Sequence, residues 1–312
     1  MIEKIKNHKI LQIVKYLQSC LQGKESAIVL SLIALFSKGH LLIEDFPGLG
    51  KTSLAIALSR VLSLSFGRVQ CTNDLLPTDI TGLSIYNRQK GEFEFKPGPI
   101  FNNIVLVDEI NRATPKTQSA LLEAMAEEQV TVDGKTYKLP KPFFVIATQN
   151  PIEIYGTFPL PESQLDRFTM KISIGYPKRE AETEIIKKGS LREELYKLQS
   201  FVEKEEILKI QEEIREKIYI SEKVIQYILD FVEETRKDNK ILLGLSTRAG
   251  LAISCAAKTY AYFRGRDYVI PEDVKEMIPY IVPHRIILKD ESLSKQEVIK
   301  SILDSISVPP LK

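Results

Sequence analysis

The sequence is poor in the residues that build metal and redox sites. Its 312 residues include three cysteines, Cys20, Cys71 and Cys255, which lack the spacing of metal ligands or of a redox pair. We therefore expect reduced, mostly buried thiols in a cytoplasmic protein. Three isolated histidines offer no metal-binding cluster either, and they are His8, His40 and His284.

Two further absences exclude other classes of protein. Positive and negative residues are nearly balanced, with 43 Lys and Arg against 41 Asp and Glu. The overall charge therefore gives no reason to expect binding to nucleic acid or to an anionic membrane, although a local basic patch is not excluded. The longest apolar run, Ala27–Phe36, is interrupted by Ser31 and is too short to span a bilayer. We expect it to form a buried helix beside a sheet. Residues 1–6 are mixed in charge and lack an apolar secretory core, which favours a cytoplasmic protein without a membrane span.

The sequence does contain a glycine-rich loop of a specific kind. Residues 41–44 form a short apolar strand, and the loop after them runs directly into an apolar, helix-forming segment, Ser53–Leu62. In this order, the backbone N–H groups of the loop and the start of the helix form a cradle for phosphate. Lys51 can then reach the outer phosphates, and the Thr52 hydroxyl can bind Mg²⁺. The predicted nucleotide-binding residues are Pro47, Gly48, Leu49, Gly50, Lys51, Thr52 and Ser53.

Two observations test this interpretation. A second Gly-Lys-Thr triplet, Gly134–Thr136, lies in an alternating segment around an Asp-Gly turn, which predicts a β-hairpin over Val130–Leu139 and no phosphate loop. The loop pattern also calls for glycine at position 45, where this chain has Asp45. Because aspartate is favourable in turns, we expect this departure to weaken the motif match more than the chemistry.

The pattern of apolar residues predicts two domains. Residues 1–176 alternate β-rich and helical runs, as in a parallel α/β sheet, and residues 177–312 have apolar residues at the i, i+3, i+4 spacing of helices. The predicted strands of the sheet are His40–Glu44, Gly67–Cys71, Asn103–Val107, Phe143–Thr148 and Lys171–Ile174. A hairpin of Ser84–Arg88 with Glu92–Lys96 is predicted in addition to that of Val130–Leu139. The fold class is therefore an α/β core with a parallel sheet, followed by an all-helical domain.

Polar side chains follow two of the predicted buried strands. Asp108 and Glu109 end the third strand, at the carboxyl edge where open α/β sheets bind ligands. Asp108 would hold Mg²⁺ through its water shell, and Glu109 would be the general base that deprotonates an attacking water. Asn150 follows the fourth strand and would contact the γ-phosphate or the attacking water; alternatively, it caps the turn before Pro151.

Arg167 stands near the end of a short predicted helix within Pro159–Phe168. An arginine placed beside a γ-phosphate stabilises the charge of the transition state. On its own, however, an arginine at the end of a helix is more often a surface residue in an ion pair.

Together these segments resemble the AAA+ ATPases, specifically the MoxR family. The resemblance covers roughly residues 20–290, in order. The segments that carry it are Gly39–Thr52, Asp74–Gly82, Val107–Ala113, Ala147–Pro151, Leu160–Phe168, Leu245–Gly250, Pro271–Val274 and His284–Arg285. MoxR relatives often carry aspartate at the first loop position too.

The resemblance implies a role for each matching residue of the site. Lys51 and Thr52 fall on the Walker A motif, Asp108 and Glu109 on Walker B, and Asn150 on sensor 1. The two hairpins match insertions of this clade that typically point into the centre of a ring.

The resemblance also assigns two arginines to assembly and closure. Arg167 falls on the arginine finger, which acts on the ATP of a neighbouring subunit, and Arg248 falls on sensor 2 of a helical lid that closes over nucleotide. The family's Gly-Gln near the adenine pocket is replaced by Gly23-Lys24, which changes the expected adenine contacts.

The implied activity is hydrolysis of ATP, with Mg²⁺, by a homo-oligomeric ring that remodels a partner protein as a chaperone does. In MoxR relatives the partner is often a von Willebrand factor A domain protein, and the proposed work is maturation or metal-cofactor insertion. Because the sequence shows no such domain appended, we expect a separate partner protein. The magnesium-chelatase ATPase subunit belongs to the same clade, but its extra features are not found here.

Two alternatives of other classes stay open. A nucleotide-dependent assembly switch with little turnover would not need a general base such as Glu109. A nucleic-acid motor is disfavoured because Glu92 and Glu94 offset the basic residues of the first hairpin, which are Arg88, Lys90 and Lys96.

Overall fold

The computed structural model describes residues 2–152, 155–177, 179–189 and 192–310. Its first part contains α1 (His8–Cys20), α2 (Glu25–Phe36), β1 (Leu41–Glu44), α3 (Lys51–Val61), β2 (Phe66–Gln70), α4 (Pro77–Thr81), β3 (Gly82–Asn87), β4 (Glu92–Pro97), β5 (Ile104–Asp108), α5 (Pro115–Glu127), β6 (Gln129–Val132), β7 (Lys135–Lys138), β8 (Phe144–Gln149), α6 (Glu162–Leu165) and β9 (Met170–Ile172). The chain continues with α7 (Arg179–Lys188), α8 (Arg192–Tyr196), α9 (Lys204–Lys217), α10 (Glu222–Lys237), β10 (Ile241–Leu243), α11 (Thr247–Phe263), α12 (Pro271–Ile281), β11 (Ile287–Leu288) and α13 (Lys295–Ser305).

The central sheet has five parallel strands in the order β2-β5-β8-β1-β9. Strands β5, β8 and β1 are apolar along most of their length because both faces of the sheet are covered and no side faces water. Neighbouring side chains alternate between two cores, since Leu41 and Ile43 join one and Leu42 joins the other. All five strands predicted from the sequence are confirmed, with their ends displaced by at most two residues.

Two antiparallel hairpins extend from this core, β3 with β4 and β6 with β7, as predicted. The second turns at Asp133 and Gly134, whose φ angles are 50° and 76°, and it contains the second Gly-Lys-Thr triplet. Phe95 of the first hairpin stacks on Tyr137 of the second, with ring centroids 4.2 Å apart. In β4, Phe95 is half-buried, whereas Phe93 is 71% exposed.

The part of the chain after β9 is mainly helical, which confirms the predicted helical lid, and it adds a short antiparallel ribbon of β10 and β11. The side chains of Ser221 and Ser246 accept hydrogen bonds from backbone N–H groups in the first turns of α10 and α11. They therefore fix where these helices begin. One hydrophobic core is continuous from α1–α3 and one face of the sheet to α9–α13. The lid is therefore packed on the α/β part by a shared core.

Helix α2 lies at the centre of that core. All ten residues from Ala27 to Phe36 are buried, as predicted, because α1, α9, α11 and β9 pack around the helix. Across the described ranges, no helix combines the length and the apolar character needed to cross a bilayer.

The three cysteines are free thiols, but they are less buried than predicted. Cys71 is buried, whereas Cys20 is half-buried and Cys255 is exposed, so the expectation of mostly buried thiols was wrong for two of them. Burial, and then the nearby carboxylates of Asp108 and Glu109, raise the pKa of Cys71 to about 12. Cys71 is consequently an uncharged structural side chain.

Candidate active site

The glycine loop joins β1 to α3 at the carboxyl edge of the sheet. Gly48 and Gly50 have φ angles of 82° and 89°, in the left-handed region, and a Cβ on either would meet no atom within 4 Å. Glycine is therefore required by backbone conformation and not by lack of space. Helix α3 begins at Lys51, and Lys51, Thr52 and Ser53 are half-buried in its first turn. The strand, loop and helix thus follow in the order that a phosphate cradle needs.

Asp45 does more than tolerate the turn at the start of this loop. Its buried carboxylate accepts hydrogen bonds from three groups of the segment after β9: from Ile174 N at 2.6 Å, Gly175 N at 2.8 Å and Ser173 Oγ at 3.0 Å. Its other oxygen accepts from Phe46 N at 3.1 Å. The position that departs from the loop pattern therefore ties the loop to the exit of β9, a role that glycine lacks the atoms to perform.

Lys51 lies inside the loop that it closes. Its Nζ donates a hydrogen bond of 2.6 Å to the backbone oxygen of Asp45. Burial lowers the pKa of Lys51, while the carboxylates of Asp45, Asp108 and Glu109 act in the opposite direction. Because β1 and β5 are parallel strands on either side of β8, the loop that carries Lys51 and the end of β5 lie at the same edge of the sheet.

Thr148 organises the end of β5, although its role was not predicted from the sequence. The Thr148 hydroxyl, buried in neighbouring β8, lies 3.3 Å from Asp108 Oδ1, to which it donates, and accepts from Glu109 N at 2.9 Å. One hydroxyl thus uses its donor and an acceptor to hold both carboxylate residues. The sequence does mark Thr148 in one way, because it is the first polar residue at the end of an otherwise apolar strand.

Glu109 has an uncommon backbone conformation, with φ 57° and ψ 52°. Such left-handed conformations in residues other than glycine are unfavourable and are found at functional sites. The Glu109 carboxylate accepts hydrogen bonds from Gln70 Nε2 and Arg112 Nη1, both at 3.3 Å. Neither of these partners was predicted from the sequence.

Asp108 is paired with Arg68 from β2. The Arg68 Nε lies 2.8 Å from Asp108 Oδ2. Because this oxygen belongs to the carboxylate predicted to hold Mg²⁺, Arg68 and a metal ion would act on the same group. The exposed face of an edge strand gave no sequence signal for this arginine.

Asn150 follows β8 at the same edge of the sheet. Its side-chain oxygen accepts a hydrogen bond of 3.3 Å from Ile152 N, which is the turn-capping contact considered as the alternative role. The amide nitrogen is the group left to act on a ligand, since an asparagine side chain has separate donor and acceptor ends.

A cavity of about 440 Å³ continues from the glycine loop, within the usual range for small-molecule sites. Its walls come from Gly48–Gly50, from the connection between α1 and α2, and from α7 and α8. Lys24, which stands where the family has glutamine, donates from Nζ to Gly175 O at 2.7 Å. Lys24 and Asp45 therefore hold the same segment after β9, next to this cavity.

The predicted arginines lie elsewhere. Arg167 precedes β9, whose first residue, Met170, pairs with Leu41 at the start of β1, whereas the glycine loop follows the end of β1. The Arg167 Nη1 donates to Leu122 O of α5 at 2.8 Å. The structure thus separates Arg167 from the glycine loop of the same chain by the length of the sheet.

Arg248, near the start of α11, lies beside Asp166 and not at the glycine loop. Asp166 precedes Arg167 in the chain. The Arg248 Nη1 lies 3.8 Å from Asp166 Oδ2, and the Arg248 side chain is 54% exposed. Asp166 also accepts a hydrogen bond of 2.9 Å from Ser246 Oγ. Two of the four predicted catalytic residues, Glu109 and Asn150, are therefore at the loop's edge of the sheet. The two arginines are bound elsewhere, Arg167 to α5 and Arg248 near Asp166, which precedes β9.

Comparisons with known proteins agree with this architecture. Residues 40–170 match the ATPase family associated with various cellular activities (AAA), and residues 233–305 match the AAA lid domain. The chain resembles a solved structure of a candidate ATPase from Cytophaga hutchinsonii with a TM-score of 0.90 and 42% identity, over 97% of this chain and 96% of that one.

Two curated relatives extend over nearly the whole chain. The uncharacterized protein YeaC of Bacillus subtilis is 44% identical over 300 residues, which are 95% of this chain and 93% of the relative. Chaperone MoxR1 of Mycobacterium tuberculosis is 39% identical over 315 residues, covering 97% of this chain and 83% of the relative. With its parallel sheet, glycine loop and helical lid, the chain belongs to the MoxR family of AAA+ ATPases.

Proposed function

We propose that the chain binds ATP with Mg²⁺ at the glycine loop and hydrolyses it with Asp108 and Glu109. The observation that carries this proposal is that β1, which leads into the glycine loop, and β5, which leads into the two carboxylates, are parallel strands of one sheet and so end at the same edge. A positively charged amine, free N–H groups at a helix start and two carboxylates are the parts that phosphoryl transfer to water requires.

Each residue of the loop has a distinct task in this proposal. Gly48, Leu49 and Gly50, with the first turn of α3 including Ser53, would offer N–H groups to phosphate, whereas Pro47 lacks an N–H and shapes the loop. Lys51 would bind the outer phosphates. Thr52 and Asp108 would hold Mg²⁺, which neutralises phosphate charge when bound.

The attacking water would be handled by residues that follow β5 and β8. Glu109 would accept its proton, and the Asn150 amide would orient it. Thr148 would fix the relative placement of Asp108 and the Glu109 backbone through the contacts of its hydroxyl. The strained backbone of Glu109 is consistent with a side chain held for one task.

We further propose that the subunits assemble into a ring in which Arg167 and Arg248 act on the ATP of a neighbour. Strands rise about 3.3 Å per residue, so the length of β1 and the loop beyond it separate Arg167 from its own phosphate site. An arginine delivered by the neighbouring subunit would stabilise transition-state charge. Arg248 lies near Asp166, the residue before Arg167, which supports the proposal that both arginines act on the neighbouring subunit.

The work driven by hydrolysis would be the remodelling of a separate partner protein. One relative is named a chaperone, and the exposed aromatic side chains Tyr86 and Phe93 on the first hairpin offer an apolar surface to a client. A von Willebrand factor A domain protein, in maturation or metal-cofactor insertion, is the partner that we propose on the basis of the family resemblance.

Three measurements test the proposal. Phosphate release should fall by a factor of about a hundred or more in Glu109→Gln while ATP still binds, and equal rates would favour the assembly switch. Mixing Arg167→Ala subunits with Glu109→Gln subunits should recover activity, since each supplies what the other lacks. For the partner, a Glu109→Gln trap in native lysate should retain its client only with ATP.

A further inference from the structure

Arg285 of the lid connects to the segment that carries Arg167. It lies in the connection between α12 and β11, and only 2% of its side chain is exposed. Nε donates to Asp166 Oδ1 at 2.8 Å, and Nη2 donates to Phe168 O at 2.6 Å and to Asp166 O at 3.2 Å. Nη1 donates to Thr169 O at 3.1 Å and to Ile281 O. All five N–H donors of the guanidinium therefore have acceptors, and four of them are in residues 166–169.

These contacts hold the backbone on both sides of Arg167. Asp166 and Phe168 are its two neighbours in the chain, and Arg285 binds the carbonyl oxygen of each. The Nε2 of His284 also lies 2.9 Å from Phe168 O. The Arg167 side chain itself points away, toward Leu122 O. The lid consequently fixes the position of the Arg167 backbone, whereas the Arg167 guanidinium is bound to α5.

The same segment also joins the lid to Arg248. The carboxylate of Asp166 accepts from Arg285 Nε and from Ser246 Oγ, and it lies 3.8 Å from Arg248 Nη1. Ser246 caps the helix on which Arg248 is the second residue. One carboxylate is therefore shared by the base of α11 and by the residue that fixes Arg167.

A purely structural ion pair is the simpler explanation, but it accounts for less of the geometry. Burial lowers the pKa of Arg285, which the Asp166 carboxylate opposes, so the side chain is placed at a cost in solvation. Apolar residues would join a lid to a core with less desolvation. Apolar residues would lack the five directed hydrogen bonds that fix the position and orientation of a backbone segment.

We propose that Arg285 is a positioning residue for the intersubunit arginine: it fixes the Arg167 segment to the lid, so that Arg167 and Arg248 reach the neighbouring ATP as one unit. This inference rests on the proposed action of Arg167 on a neighbouring subunit. It adds that the orientation of the lid in one subunit sets the rate of hydrolysis in the next.

Mixed rings separate this role from a general effect on folding. In the parent mixture, Glu109→Gln subunits supply Arg167 and Arg167→Ala subunits supply the working base. Arg285→Lys is then added to one subunit type at a time, because lysine keeps the charge but loses the forked donors. Placed in the Glu109→Gln subunits, it should reduce recovered phosphate release by about a hundredfold, since small misplacements of a catalytic group have effects of that size. Placed in the Arg167→Ala subunits, it should leave the recovered rate within about twofold.

Controls make the outcome decisive. Arg236→Lys is the matched control, since Arg236 also donates to a backbone carbonyl, that of Leu245, but within the lid. It should leave both arrangements at the parent rate. Subunit incorporation is measured by mass spectrometry of the rings, and Arg285→Met, of similar length, replaces Arg285→Lys if the latter does not assemble. Equal losses in both arrangements, or no loss in either, would overturn the proposal. Absence of recovery in the parent mixture would instead contradict the intersubunit action of Arg167, and this inference with it.

Discussion

The carboxylate of Asp45 accepts a hydrogen bond of 2.8 Å from the backbone N–H of Gly175, which lies beyond the end of β9. Asp45 stands at the start of the glycine loop, so the contact links this loop to the segment that leads into α7. The cavity beside the glycine loop lies between these parts of the chain. Changes at position 45 should therefore affect the loop and the cavity together.

We predict that Asp45→Gly, which completes the general loop pattern, lowers both the stability of the fold and the affinity for ATP. The N–H groups of Ile174 and Gly175 would lose a buried, charged acceptor, so the free energy of unfolding should fall by about 2–4 kcal/mol. Affinity for ATP should fall by about tenfold, because the cavity wall is no longer fixed. Urea unfolding and ATP titration measure the two effects.

The second Gly-Lys-Thr triplet offers the matched control for this substitution. Asp133 precedes it on an exposed turn, so Asp133→Gly should change the free energy of unfolding by no more than about 0.5 kcal/mol. Equal or tighter ATP binding by Asp45→Gly would contradict the role assigned to the carboxylate.

Thr148→Val should lower turnover more than it lowers affinity. Valine keeps the shape but loses the hydroxyl that joins Asp108 to the Glu109 N–H, so the general base would be less well fixed. We expect kcat to fall by about 10–100-fold, with KM for ATP within about threefold of the original value. Thr148→Ser retains the hydroxyl and should recover most of the rate. A larger change in KM than in kcat would argue that Thr148 acts on binding.

Arg68→Gln should strengthen the binding of Mg²⁺. Removal of the guanidinium frees Asp108 Oδ2 and removes a positive charge from the site, so Mg²⁺ affinity in the presence of ATP should rise by about three- to tenfold. Because Arg68 is 39% exposed, the loss in stability should be within about 1 kcal/mol. The Mg²⁺ dependence of phosphate release measures the effect.

An exposed arginine in another ion pair serves as the control for Arg68. Arg215→Gln on α9 removes the same charge from the chain and should leave the Mg²⁺ dependence unchanged. Weaker Mg²⁺ binding by Arg68→Gln would indicate that Arg68 holds Asp108 in position for the metal and does not compete with it.

The buried His40 should make stability depend on pH. Burial lowers its pKa to about 4, and Nε2 donates to Met125 O while Nδ1 accepts from Val145 N, so the ring is neutral when folded. Between the folded pKa and the unfolded value near 6.5, the unfolded chain binds more protons, and stability therefore rises with pH through this window. Above pH 6.5 the contribution is complete.

The measurement for His40 is urea unfolding at pH 7 and pH 5. This histidine should account for a loss of about 2 kcal/mol between them. His40→Gln offers a donor and an acceptor that do not titrate, so its loss on acidification should be smaller by that amount. His8→Gln, at an exposed position, should retain the original dependence. Identical pH profiles for the His40 variant and the original chain would contradict the prediction.

The parallel sheet and the glycine loop could be predicted because their causes are local. Strands β5, β8 and β1 are buried on both faces and so read as apolar runs, and the loop needs glycine at Gly48 and Gly50 for reasons of backbone conformation. The position of Asp108 and Glu109 beside the loop was predicted because the carboxyl ends of parallel strands meet at one edge of the sheet. These features depend on residues that are neighbours in the chain.

The missed features depend on partners that are distant in the chain. Asp45 binds residues 173–175, Thr148 binds Asp108 and Glu109, and Arg285 binds residues 166–169. A polar residue at the end of a strand reads the same whether it faces solvent or a buried carboxylate. The position of Arg248 was missed for the same reason, since only the packing of the lid brings it to Asp166.

The stacked rings of Phe95 and Tyr137 join two hairpins that were introduced separately along the chain. Each hairpin alone is a two-stranded ribbon, which is marginally stable in water. Their contact joins the two pairs of strands through one aromatic stack. In the proposed remodelling of a partner protein, force on one hairpin would reach the other through these rings. Strand β6 directly follows α5, whose Leu122 oxygen accepts a hydrogen bond from the guanidinium of Arg167. In the ring that we propose, tension on a bound client protein would in this way reach the residue that acts between subunits.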